Sequence, residues 1–342
     1  MNIRLNHHWI LGTVLSGLWV MTQFLTLPAI SQAQEVGQAQ EVGQAAEAKT
    51  TKGEEADGEE AVKEAAAGKR DEKPKKDSSE FLRLHRDGQK KPVAMQTSIV
   101  RYVPTDNSKY EGTVDLVGAV HVGESEYYAD LNKRFRGYDA VLFELVAPEG
   151  FELPEGSKLE SKSGVGGIQH LLKDILGLEF QLDQINYSAK NFVHADMSPA
   201  EFSKSMKDRG ESFFTMFVQM MSQSMSMQAS RPQGGSDFKL ILALIRRDKP
   251  TIKRIFAEQF EDMESTMMAF NGKDGSTIIT ERNKKALAVL DRELKGGKKR
   301  VAIFYGAGHL VDMEERLLKD FGLQKTQVTW VTAWDLNKVS TD

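Results

Sequence analysis

The 342-residue chain has no cysteine. That excludes a disulfide framework and a thiolate metal site, so any metal must be held by His, Asp, Glu or water. Surplus charge is also scarce: 45 Lys and Arg against 49 Asp and Glu leave a formal net charge of −4. This balance argues against nucleic acid as the main partner. There is no nucleotide-binding glycine loop and no nucleophile elbow, which argues against the common kinases and serine hydrolases. Apart from one N-terminal run, no stretch is long and apolar enough for a transmembrane helix.

That run is Trp9 to Ile30, preceded by Arg4 and followed by Ser31-Gln32-Ala33. A charged start, an apolar middle and small residues at the end read as a signal peptide, residues 1–33, cleaved after Ala33. The run nearly spans a bilayer, so an uncleaved anchor is the alternative and the only route to a membrane. Either reading exports the body of the protein: periplasmic, extracellular or anchored outside the cytoplasm. Residues 34–90 open with a direct repeat, Ala33-Gln34-Glu35-Val36-Gly37-Gln38 and Ala39-Gln40-Glu41-Val42-Gly43-Gln44, and continue in Ala, Glu, Lys, Gly and Asp. Such a segment cannot bury enough surface to offset its ordering entropy and reads as a charged, disordered linker.

The folded domain is expected over 91–342. Strands are expected at Met95–Val103, Thr113–Val117, Asp139–Leu145, from Arg300 and over Thr326–Ala333, with a helix at Ser125–Phe135 marked by Tyr128, Leu131 and Phe135. A strand-helix-strand order implies a parallel crossover. A helical middle section spans about 164–295, including a Met- and Phe-rich run from Phe213 to Met227. The fold class is therefore α/β: a central, mostly parallel sheet with a large helical insertion.

Two strands end in the same pattern, Gly118-Ala119-Val120-His121 and Gly306-Ala307-Gly308-His309. Each glycine lets the backbone turn or other groups approach. Each histidine lands at a strand C-terminus, where open α/β sheets build their sites. Glu144 lies near the end of another strand. Two neutral imidazoles and a carboxylate are a competent set for a divalent transition metal. Arg282 is a candidate for orienting a carboxylate or stabilising an oxyanion. Glu124 reads either as a proton acceptor or, preferably, as a first-turn charge complementing a helix dipole. Asp196 or Ser198 caps the helix that begins at Pro199, and His194 is placed to reach the mouth of the site.

The ordered set Gly118-Ala119-Val120-His121, Phe143-Glu144-Leu145, Glu281-Arg282-Asn283 and Gly306-Ala307-Gly308-His309 resembles the TraB/TIKI family, within a wider superfamily holding the erythromycin esterase and ChaN-like proteins. The resemblance covers most of Lys91 to Ala333. It implies a metal-dependent hydrolase, peptidase-like, with manganese, cobalt or zinc as the divalent metal and a peptide or protein as substrate. It implies that His121, Glu144 and His309 bind metal or activate water, that Arg282 supports the site, and that Asn283 is a further contact. Ala119 stands where many members carry threonine, which removes one hydroxyl. ChaN-like members bind haem, so a non-catalytic protein holding haem or another hydrophobic ligand is the alternative.

Overall fold

The computed structural model describes residues 81–157, 176–212, 236–258 and 275–338. Its strands are β1 (Leu82–Arg86), β2 (Pro92–Pro104), β3 (Thr113–Ala119), β4 (Val122–Gly123), β5 (Ala140–Phe143), β6 (Glu179–Phe180), β7 (Phe192–His194), β8 (Arg300–Gly306) and β9 (Leu323–Asp335). Its helices are α1 (Ser125–Phe135), α2 (Gln181–Gln184), α3 (Pro199–Asp208), α4 (Ser236–Arg246), α5 (Arg282–Lys295) and α6 (Leu310–Lys319). A further helical stretch covers 249–258.

Val301, Ala302, Ile303, Phe304 and Tyr305 are all buried. A strand apolar on both faces belongs in the middle of a parallel sheet, and β8 lies there, paired with β3 on one side and β5 on the other. β7 continues the parallel set beyond β5. On the far side the sheet turns antiparallel. β2 pairs with β3, β1 and β9, and β9 runs along it from Ala94 to Pro104. The α/β class holds, as a mixed sheet whose neighbouring strands β3, β8, β5 and β7 are parallel.

One sequence expectation is corrected: the linker ends before 90, because Leu82, Leu84 and their neighbours pair with β2 as β1. β3 and β5 are parallel, as the strand-helix-strand order implies, and β8 lies between them. The last part of the expected helical section opens as a π-turn, Thr277–Glu281, and then becomes α5. Helix α1 has the expected bounds and buries Tyr127, Tyr128, Leu131 and Phe135. The signal peptide, most of the linker and the whole Met- and Phe-rich run from Phe213 to Met227 lie outside the described residues.

Parallel pairing is what assembles the site. Ala119 pairs with Gly306, Phe143 with Phe304, and Phe143 with His194. The four C-terminal ends therefore share one sheet edge, and the residues just beyond them are His121, His309, Glu144 and Asp196 in strand order.

Candidate active site

Glu144 is 5% exposed and receives a donor on each oxygen. Arg282 Nη2 stands 2.8 Å from Oε1, and the Gly306 backbone N–H donates to Oε2 at 2.7 Å. Burial alone would raise this carboxyl, but Arg282, then His309, His121 and the Gly306 amide, hold it down at about 2. It is an anion at every working pH. Arg282 also grips Asp196, donating from Nε at 2.9 Å and from Nη2 at 2.5 Å. Burial works against its charge, but Asp196 and Glu144 outweigh that and raise its pKa. One cation between two carboxylates leaves the buried set one negative charge in excess.

Asp196 is thus not a helix cap. Ser198 caps α3, accepting from the Glu201 N–H while the Glu201 carboxylate accepts from the Ser198 N–H, a complete capping box. That frees the Asp196 side chain to turn inward.

The π-turn explains how one helix end supplies two adjacent buried polar residues. Its widened first turn, closed by the Glu281 N–H on the Ser276 carbonyl, feeds into Arg282 and Asn283, both buried. Such turns recur at functional sites. Asn283 Nδ2 donates to the His309 carbonyl at 3.0 Å and to Asp312 Oδ2 at 2.8 Å. Both partners are acceptors, so the amide orientation is fixed and Oδ1 faces His309 Nδ1 at 2.7 Å. Nδ1 must carry the proton. In the neutral ring Nε2 is then bare, and it lies 3.5 Å from Glu144 Oε1. Burial first, opposed by Glu144 and assisted by Arg282, lowers His309 to about 4. The ring is neutral at pH 7, and two lone pairs confront each other.

His121 sits two residues beyond β3, and its carbonyl accepts from the Gln181 N–H at 2.9 Å. Burial lowers its pKa, Glu144 opposes that and Arg282 adds to it. It is the half-buried member of the set. Gln181 stands beside it, donating Nε2 to the Tyr187 hydroxyl at 2.8 Å, while its buried Oε1 has no well-formed hydrogen bond. Gln181, Tyr187, Tyr305 and Asp312 escaped sequence reasoning. Tyr305, packed on the His309 ring and donating to the Ala195 carbonyl, lies in the Gly-x-x-His strand and was the one within reach of that motif.

Glu124 stands at the N-cap of α1, the helix start expected of it, and makes no side-chain cap. Its Oε1 accepts from Lys253 Nζ at 2.7 Å and from the Asp335 N–H at 3.1 Å, which locks it in a buried ion pair. His194, on β7, donates Nε2–H to the Leu145 carbonyl at 2.6 Å and packs against Phe143 and Phe151. With Tyr187, Phe192 and Asp196 these rings line a cavity of about 570 Å³.

The donor types at the sheet edge suit a divalent metal, but their placement does not. Among the described residues no group of three or more His, Asp or Glu side chains is arranged to hold an ion, and Glu144 Oε1 already faces a guanidinium. Among the described residues no helix is long and apolar enough to cross a membrane. Compared with known proteins, the chain matches no family model, no curated sequence and no solved structure.

Proposed function

We propose that the protein is an exported, TraB/TIKI-like hydrolase acting on peptides, in which His309 and Glu144 hold and activate a water. The observation that carries this reading is the bare His309 Nε2 facing, at 3.5 Å, the ionised Glu144 Oε1, which Arg282 holds from another side and which keeps lone-pair capacity for a further donor. Such a contact is repulsive until a group with two protons enters it, and water is that group.

The chemistry follows from the residues. His309 takes a proton from the water on Nε2 as the oxygen attacks the carbonyl carbon. Asn283 keeps the tautomer correct. Glu144, ionised throughout, stabilises the imidazolium that forms, as the carboxylate does in a serine-protease triad. When the carbon–nitrogen bond breaks, His309 returns the proton to the leaving amine. Arg282 supplies the fixed positive charge near the developing oxyanion. The divalent ion implied by the resemblance does not fit this arrangement, and no step is routed through it. The haem alternative gains no support from an imidazole turned onto a carboxylate. The aromatic cavity beside Asp196 offers a recess for a substrate side chain.

The test is hydrolysis of a fluorogenic peptide library by the full chain and by His309→Gln, with and without chelator. Cleavage that survives chelation and disappears in the variant is expected. No cleavage by the wild type, or equal cleavage by the variant, rejects the reading.

A further inference from the structure

Helix α4 buries Leu240 and Ala243 on one side. On the other, Ile241, Leu244 and Ile245 are 41%, 38% and 75% exposed. Their spacing, one and four and three residues apart along a helix, makes a single stripe. Ile245 is the most exposed large apolar side chain among the described residues. An isolated exposed apolar residue is ordinary, but three in one stripe are a surface with a purpose.

The stripe has a basic border. Lys239, Arg246 and Arg247 are all exposed. From Lys239 to Arg247 there are three basic residues and no acidic one, in a chain whose net charge is −4. The next residue, Asp248, is turned back onto Thr251, whose N–H and hydroxyl both donate to it. Helix α4 is thus apolar at its exposed centre and cationic at its end. That is the composition of a helix lying in the headgroup region of an anionic bilayer. A second protein chain would need a complementary acidic rim, and a neutral apolar partner would leave the arginines without a counter-charge.

We propose that α4 docks the domain onto an anionic membrane surface through Ile241, Leu244 and Ile245, with Arg246 and Arg247 facing lipid phosphates. The sequence supports the setting independently, since Trp9–Ile30 brings the chain to a membrane as signal or anchor. The proposal does not depend on the hydrolase reading.

The absence of cysteine makes the test direct. Ile245→Cys in the full chain is labelled with nitrobenzoxadiazole, with Val328→Cys on β9, 42% exposed, as comparison. Both are mixed with vesicles of phosphatidylcholine, alone or with phosphatidylglycerol. A blue shift at position 245 but not 328, only in anionic vesicles, is expected. In an Arg246→Gln/Arg247→Asn background, apparent partition should weaken about fivefold per charge removed; asparagine suits the left-handed backbone at Arg247, φ 51°. Circular dichroism checks that each variant is folded. No shift, an equal shift at both positions, or an equal shift in neutral vesicles overturns the proposal. So does a shift without vesicles accompanied by a larger elution size, which assigns the stripe to a second copy of the chain.

Discussion

His309 Nε2 and Glu144 Oε1 lie 3.5 Å apart with no proton between them at neutral pH. The arrangement persists because Asn283 forces the proton onto the other ring nitrogen, and because Arg282 and Gly306 compensate the carboxylate.

Asn283→Leu keeps the side-chain volume but removes every polar contact to His309. The tautomer is released, and the Asp312 carboxylate and His309 carbonyl lose a donor. A loss of about 10- to 100-fold in kcat, with KM nearly unchanged, is expected from misorientation of the base. The stability cost is about 1–3 kcal/mol for unsatisfied buried groups. Steady-state kinetics and urea denaturation separate the two effects.

Arg282→Met leaves Glu144 and Asp196 buried without their shared cation. Breaking a buried pair from one side costs about 3–5 kcal/mol. The triple variant Arg282→Met/Glu144→Gln/Asp196→Asn removes the stranded charges as well. It should recover most of the urea midpoint while remaining inactive. A triple variant as unstable as the single one would show that the guanidinium matters for packing rather than charge.

Stability should fall in two stages as acid is added. The folded-state pKa of His309, about 4, is below its ordinary value of 6.5. The unfolded chain therefore binds the extra proton first, and stability drops as pH falls from about 6.5 toward 4. Glu144, held at about 2 against an ordinary 4.5, adds a second drop below about 4.5. The activity profile should follow His309: kcat/KM flat through neutrality and halved near pH 4, not near 6.5. Thermal midpoints from about pH 2 to 8 span the two stability stages, and initial rates over the part of that range where the protein stays folded read the activity profile.

Gly306 and Gly308 belong to one motif but should respond oppositely. A Cβ at position 306 would come within 3.3 Å of Glu144 Oε2, whereas at 308 it meets nothing within 4 Å. Gly306→Ala should displace the carboxylate and lower kcat by about 10-fold or more, since small misplacements in a catalytic site are costly. Gly308→Ala should be active and unchanged or slightly more stable.

The reason for these glycines was only half legible in the sequence. Neither Gly118 nor Gly306 takes a positive φ. At Gly118 a Cβ would crowd the Phe81 and Ser98 carbonyls, at 3.2 and 3.3 Å, and at Gly306 the Glu144 carboxylate lies 3.3 Å from where one would sit. Close approach, not turning, explains both. Helix α1 was readable from Tyr128, Leu131 and Phe135 because a single buried face imposes local periodicity. β1 was not, since Leu82-Arg83-Leu84 is a short alternation joined to a charged tract, and its pairing with β2 is a tertiary event. That His121, Glu144 and His309 share one sheet edge was readable because each follows an apolar strand and parallel strands end together. The grip of Arg282 on Asp196 was invisible, being a contact between residues 86 apart in sequence. The Glu124 ion pair was invisible for the same reason: its partner Lys253 is 129 residues away.

The position of β8 also sets a timetable. It is among the last strands synthesised, yet it separates β3 from β5 and carries His309 into the gap between them. β9, later still, covers β2 and holds the His121 loop through the Trp334 indole on the Val122 carbonyl. Pairings this distant in sequence form slowly. A nascent chain that has not yet added β8 therefore holds His121 without His309. The fold carries its own delay: any chemistry that needs both histidines waits until β8 has slotted between β3 and β5.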